Sequence, residues 1–122
     1  MRNRQRGMRL VCAALLLSGT PAFAADAGHG KDLFTACLAC HTDGPDALGP
    51  SLKSVVGRKA GTLEDFRYST AIKRAGIVWD DANLREFLRD PQAKVKGNHM
   101  PFSGFANGSD ADDVVAYLRT YK

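Results

Sequence analysis

The chain has 122 residues, a length that predicts one domain with a modest hydrophobic core. Its 17 basic residues exceed its 13 acidic ones, which gives a formal net charge of +4. Four basic residues precede residue 24 and every acidic residue follows it, so residues 25–122 carry no net charge. The predicted domain therefore lacks the excess of basic residues that is typical of nucleic-acid-binding proteins, and we expect no nucleic-acid partner.

Residues 1–24 have the features of a secretory signal peptide. Arginines come first, an apolar run covers 10–17, and Ala24 ends an A-x-A cleavage signal. The run is far shorter than the roughly 20 residues of a membrane-spanning helix, although retention as an uncleaved anchor is the alternative. Cleavage would also remove Cys12. We therefore expect a domain over 25–122 that is exported to the periplasm.

The first half of this domain predicts a helix followed by a long loop. Apolar residues and cysteines at helical spacing predict a helix over 28–41. Residues 42–66 are rich in Gly, Pro and Asp and predict a loop. A loop of this length is unusual in a small domain, and wrapping around a bound cofactor would explain it.

The second half predicts helices again. A short helix is expected over 68–75. Asp80 or Asp81 can cap another helix, which ends at Asp90 because Pro91 follows.

Residues 91–108 predict a second loop before the last helix. Ser109 resembles an N-cap, with Asp112 three residues further on, and the helix is expected to run to about Tyr121. No alternating strand pattern competes with these helices. We therefore predict an all-α fold of four to five helices.

The most specific motif is Cys37-Leu38-Ala39-Cys40-His41. Two cysteines two residues apart, followed by a histidine, form the attachment pattern of c-type haem. The spacing places both thiols on one side of a tight turn, where each can form a thioether with the same porphyrin. His41 is then the candidate proximal ligand of the iron.

Other interpretations of this motif fit less well. A dithiol redox site favours a βαβ context, which is absent. A zinc site needs four ligands at finger-like spacing, and His29 and His99 do not supply such a pair.

Met100 is the candidate sixth ligand. It is the only methionine after residue 24 and lies in a glycine-bounded segment, 97–104, from which a thioether could reach the far side of the iron. Packing in the core is the alternative role for a lone methionine. A His/Met pair raises the reduction potential, because a soft neutral sulfur stabilises ferrous iron.

These motifs together resemble class I cytochromes c, especially bacterial cytochromes c2 and mitochondrial cytochrome c. The resemblance extends over the whole predicted domain. Its markers are Gly30 and Phe34, Leu48-Gly49-Pro50, Gly57-Arg58-Lys59-Ala60-Gly61, Phe66-Arg67-Tyr68-Ser69, Gly76-Ile77-Val78-Trp79, the segment from Leu88 to Pro91, the Met100 loop and Ala116-Tyr117-Leu118.

The resemblance implies roles for residues around one covalent haem c. The Pro50 carbonyl would accept a hydrogen bond from the His41 ring. The haem propionates would be held by Arg58, Tyr68 and Trp79.

Three further positions follow from the same resemblance. Gly30 and Phe34 would pack against Tyr117 where the first and last helices cross. Phe102 would cover the haem edge. Asn98 takes the place of a propionate-binding threonine.

The resemblance also implies a weaker ring of docking lysines than is usual. Gln92, Ala93 and His99 occupy positions that are often lysine. The lysines that could still contribute are Lys53, Lys59, Lys94 and Lys96.

The implied function is that of a soluble periplasmic electron carrier, not an enzyme. A monomer would dock transiently between a bc1-type quinol-oxidising complex and a terminal oxidase or other acceptor, with no small-molecule substrate. A dedicated electron-acceptor subunit of a periplasmic dehydrogenase is the first alternative. A haem peroxidase or gas-binding protein is the second, and it needs an iron whose sixth position is open.

Overall fold

The computed structural model describes residues 24–122, together with Ala14 and Gly19. The predicted signal peptide therefore lies almost wholly outside the described residues. Five α-helices occupy the described part: α1 Ala27–Phe34, α2 Thr70–Arg74, α3 Asp81–Arg89, α4 Pro91–Lys94 and α5 Gly108–Leu118. That part contains no β-strand, only an isolated bridge between Lys59 and Val78, so the all-α prediction is confirmed. None of its helices is long and apolar enough to cross a membrane.

Helices α1 and α5 cross at very close range, and this crossing contains much of the core. A Cβ atom added to Gly30 would lie 1.9 Å from the Asp113 carbonyl oxygen, so only glycine permits the approach. The Phe34 ring is 2% exposed and packs 5.2 Å from the Tyr117 ring, centroid to centroid. The predicted contact of Phe34 with Tyr117 is confirmed, whereas Gly30 meets the α5 backbone instead.

The first helix ends earlier than the sequence predicts. It ends at Phe34, and a 3-10 turn follows over Cys37–Ala39. The backbone N–H of Thr35 donates to the Asp32 carbonyl, a tightened i to i−3 bond that closes the helix. The prediction of one helix over 28–41 is therefore wrong, and the cysteine motif lies in a turn of its own.

Of the two predicted caps, Asp80 is the one that caps α3, since its side chain accepts a hydrogen bond from the Asn83 N–H at 2.8 Å. The helix buries Leu84, Phe87 and Leu88. Its outer face is joined to α5 by an ion pair between Arg85 Nε and Asp112 at 2.9 Å.

Three features of the last third differ from prediction: a helix lies within the predicted loop over 91–108, and α5 has a different N-cap and ends at Leu118, not near Tyr121. Residues 91–94 form α4, because the Asp90 side chain accepts from the Ala93 N–H and Pro91 occupies the first turn, where its missing N–H costs nothing. Helix α5 is capped by Asn107, not by Ser109. The residue that ends α3 thus also caps α4.

The long loop is observed as predicted and is tied to the remainder of the fold by backbone hydrogen bonds. The Ser54 N–H donates to the Tyr121 carbonyl at 2.8 Å. The Gly57 N–H donates to the Trp79 carbonyl, and the Trp79 N–H donates to the Arg58 carbonyl, each at 2.8 Å. These bonds make the loop one wall of a central cavity.

Candidate functional site

A cavity of about 410 Å³ lies between the long loop, α2, α3 and the segment after α4. Its lining is mainly apolar. Cys37, Cys40, His41 and Met100, which sequence analysis selected separately, all line it. The fold therefore brings together one thiol pair, one imidazole and one thioether that are up to 63 positions apart in the chain.

The His41 ring has a single defined orientation. Its Nδ1 lies 2.7 Å from the Pro50 carbonyl oxygen, the partner that the resemblance implied. A carbonyl only accepts, so Nδ1 carries the proton and Nε2 keeps its lone pair. Burial lowers the pKa of His41 and the bond to Pro50 offsets part of that change, so the ring is neutral near pH 7 and Nε2 is available to a metal.

Gly49 allows this arrangement through close packing. A Cβ atom at this position would lie 2.6 Å from His41 Cε1 and 2.7 Å from Nδ1. The Gly49 N–H also donates to the Cys40 carbonyl at 2.8 Å. The Gly49 backbone therefore supports the imidazole by direct packing, and the Pro50 carbonyl supports it through the hydrogen bond.

The two cysteines lie on one tight turn with His41 directly behind them. The Cys40 N–H and the His41 N–H both donate to the Cys37 carbonyl, at 3.1 and 3.0 Å. Both thiols are free and partly buried, and burial raises the pKa of the Cys37 thiol. Two free thiols in the lining of an apolar cavity match the thioether attachment that the spacing predicts.

Met100 is partly buried in a loop that Asn98 holds in place. The buried Asn98 amide donates to the carbonyls of Pro91 and Val95, both at 2.9 Å. Its oxygen accepts from the Met100 N–H, also at 2.9 Å. Both amide hydrogens are therefore engaged by the backbone, and Asn98 serves to position Met100 although it also lines the cavity.

Gln92 is a second support that sequence analysis did not identify. Its Nε2 donates to the Asn98 carbonyl at 2.9 Å, and its Oε1 accepts from the Gly97 N–H at 3.1 Å. Spacing alone could not reveal it, because its role depends on α4, which the sequence did not predict.

Arg58, Tyr68 and Trp79 all line the cavity. The Arg58 guanidinium donates to the carbonyls of Ser51 and Lys53 at 2.8 and 3.2 Å, which fixes it at the wall. The Tyr68 oxygen accepts from the Leu63 N–H at 3.2 Å, so its own proton is free to be donated. These groups could all approach carboxylates on a ligand in the cavity.

Phe102 does not line the cavity. Its ring packs edge-on against Phe105 at 5.1 Å, centroid to centroid. Phe105 is itself held by a hydrogen bond from its N–H to the Leu88 carbonyl at 2.9 Å. Leu48 lies at the cavity instead, with 78% of its surface exposed.

The donor set fits a covalently attached haem. A porphyrin is a large apolar body with two carboxylates, and the cavity offers apolar walls together with the guanidiniums of Arg58 and Arg67. No Asp or Glu lines the cavity. A thiol pair, a neutral imidazole and a soft thioether in one apolar space define a c-type cytochrome.

Comparison with known proteins agrees with this class. Residues 27–122 match the cytochrome c family model. The chain is 45% identical over 102 residues to a cytochrome c2 of Rhodoblastus acidophilus, covering 81% of this chain and 95% of that one. It is 42% identical over 110 residues to a cytochrome c2 of Blastochloris viridis, covering 88% and 87%.

A solved structure is similar as well. Cytochrome cH from Methylobacterium extorquens superposes with a TM-score of 0.73 at 43% identity, over 78% of this chain and 98% of that one. The chain belongs to the cytochrome c family, and it is an electron-carrying cytochrome with covalently bound haem c.

Proposed function

We propose that this protein is a monomeric periplasmic electron carrier between a bc1-type quinol-oxidising complex and a terminal oxidase or other acceptor. The observation that supports this is the shared cavity of His41 and Met100, a neutral imidazole and a thioether from separate segments. When haem is bound, its iron supplies one-electron chemistry by alternating between the ferric and ferrous states. With both His41 and Met100 holding the iron, no position on it would be open to a substrate.

The chain's own residues give the site its proposed properties. Pro50 and Gly49 hold the His41 ring in one orientation, and Asn98 holds the Met100 backbone. Fixed ligands keep the change in geometry between oxidation states small. The Met100 sulfur would favour the ferrous form of a bound haem and so raise its reduction potential.

Carbon monoxide binding to the reduced holoprotein tests this proposal. We expect a low-spin visible spectrum that the gas does not change, because His41 and Met100 would both hold the iron. Met100→Ala should bind the gas, whereas Leu48→Ala, which alters an exposed cavity residue, should not. A wild-type spectrum that shifts with carbon monoxide would mean an open iron, and a gas-binding or peroxidase function would replace the proposal.

Export is tested separately. We propose that the leader is cleaved after about Ala24 and that residues 25–122 form the domain. The intact mass of the periplasmic holoprotein should equal residues 25–122 plus one haem. A mass that includes the leader would mean that the leader is retained as an anchor.

A further inference from the structure

Residues 25–122 carry no net charge, but their basic and acidic residues are unevenly distributed along the chain. Segments 58–78 and 94–96 contain seven basic and two acidic residues. The remainder of residues 25–122 contains six basic and eleven acidic residues. Even with the two propionates of a bound haem added to it, the first region stays cationic.

Two exposed cations lie on α2, Lys73 and Arg74, and two more, Lys59 and Lys96, lie on segments that pack against this helix. We call them the α2 surface. Within the described part of the chain, none of the four has a carboxylate oxygen within 4.0 Å.

Backbone packing brings the four together around the helix. A Cβ atom on Gly61 would lie 3.1 Å from the Lys73 Cα, so the segment that carries Lys59 packs against the end of α2. A Cβ atom on Gly97 would lie 3.6 Å from the Ala71 Cβ, which places the neighbour of Lys96 at another side of the same helix.

Two of the lysines expected to aid docking are neutralised by contrast. Lys53 Nζ lies 2.7 Å from the Asp43 carboxylate. Lys94 forms an ion pair with Glu86. These two lysines are therefore neutralised, whereas the four cations of the α2 surface form no ion pair within the described part of the chain.

Helix α2 also forms a wall of the haem cavity, since Ser69 and Ile72 line it. A partner seated on the outer face of α2 would be about one helix diameter, roughly 10 Å, from the cavity. Charge at this position would therefore control how closely an electron donor or acceptor approaches the haem.

We propose that the α2 surface is a docking site for a redox partner whose own surface is acidic. The inference rests on the proposed electron-carrier function and adds the location and charge of its encounter site. Glu64 and Asp65 are exposed on the loop that carries Lys59 and leads into α2. A uniformly anionic membrane would repel both carboxylates, whereas a protein surface can present groups that complement each sign.

The test measures reduction of the ferric holoprotein by a photoreduced acidic flavodoxin, used as a protein probe, at low and physiological salt. One variant is Lys73→Glu with Arg74→Glu. The matched control is Lys31→Glu with Lys122→Glu, which changes net charge equally at exposed sites outside the α2 surface. Wild type should react fastest at low salt and slow as salt rises.

We expect the α2 variant to react about tenfold more slowly at low salt and to lose that salt dependence, with the control within about twofold of wild type. Equal slowing of both variants would mean that only net charge matters, and unchanged rates in both would mean that α2 is not used. Either result overturns the proposal. Loss of binding to phosphatidylglycerol vesicles in the α2 variant, with its flavodoxin rate unchanged, would overturn it in favour of a lipid site.

The carbon monoxide test on the same samples separates this proposal from the function on which it rests. A carrier that resists the gas but shows equal rates in all variants would keep its function and lose only the docking site. A wild-type protein that binds the gas would lose the function itself.

Discussion

The two sides of the haem cavity are built in different ways. On one side, the Pro50 carbonyl and the Gly49 backbone hold the His41 ring, and the cysteine turn lies directly before it. On the other side, Met100 is supported by side chains, chiefly the Asn98 amide.

This difference indicates where the site is rigid and where it can open. The His41 side has a short sequence separation, nine residues between the ring and its acceptor, and backbone atoms cannot be removed by mutation. The Met100 side depends on a few side-chain hydrogen bonds between α4 and the loop that follows it. Substitutions that add atoms should therefore damage the His41 side most. Substitutions that shorten a side chain should damage the Met100 side most.

The largest effect is expected from Gly49→Ala. The new methyl group would lie 2.6 Å from an imidazole atom that Pro50 already fixes, so the ring has to turn or the loop has to move. We expect the free energy of unfolding to fall by about 3 kcal/mol, together with a disturbed spectrum of the holoprotein. Urea unfolding and the visible spectrum measure both.

Gly44→Ala is the matched control for that change, since nothing lies within 4 Å of a Cβ atom there. It should leave stability and spectrum unchanged. Equal stability of Gly49→Ala and wild type would show that the His41 side is more adaptable than its packing indicates.

The next effect is expected from Asn98→Ala. Three hydrogen bonds are lost, although the carbonyls of Pro91 and Val95 each keep a backbone donor. The Met100 N–H loses its acceptor. We expect the free energy of unfolding to fall by about 2 kcal/mol and the reduced protein to bind carbon monoxide, because the loop that carries Met100 is loosened.

Asn83→Ala serves as its control, because the Asn83 amide also donates to a backbone carbonyl, that of Val78 at 2.8 Å, away from the Met100 loop. Carbon monoxide binding by both variants would point to general loosening of the fold. Binding by neither would mean that Asn98 does not control access to the iron.

A smaller effect is expected from Gln92→Ala. The side chain is exposed and its two hydrogen bonds reach only the loop backbone. We expect the free energy of unfolding to fall by about 0.5–1 kcal/mol, without carbon monoxide binding. A loss as large as that of Asn98→Ala would show that the exposed support matters as much as the buried one.

The smallest effect is expected away from the His41 and Met100 sides of the cavity, at the ion pair of His29 with Asp113. The His29 Nδ1 and Asp113 Oδ2 atoms lie 2.7 Å apart. The hydrogen bond that the His29 ring donates to Asp113 is the main cause that raises the pKa of His29. The folded state therefore holds this proton more tightly, and its stabilising contribution is lost as pH rises through the folded-state pKa, above 6.5. The thermal midpoint of wild type should fall slightly from pH 6 to pH 8.

His29→Gln should remove that fall and leave the visible spectrum unchanged at both pH values. If the thermal midpoint of the variant still fell by the same amount from pH 6 to pH 8, another group would cause the pH dependence. A changed spectrum would mean that this ion pair influences the haem site.

Local patterns were enough to predict most helices. Asp80 caps α3 as expected, because an aspartate before an apolar stripe caps through its own side chain. Helix α4 was missed because Pro91 can end one helix and begin another, and sequence alone does not distinguish these roles. The first helix was overextended because the cysteine turn keeps helical spacing after the helix has ended.

For the site, the sequence by itself determined its chemistry: a thiol pair and an imidazole at motif spacing, one thioether, and the family to which they belong. The tertiary structure decided what holds these groups. It assigned Asn98 to the Met100 backbone, directed Phe102 to Phe105 and gathered unpaired cations around α2. The physical reason is range: a motif depends on neighbours along the chain, whereas hydrogen-bond partners and surface charge depend on segments that meet only after folding.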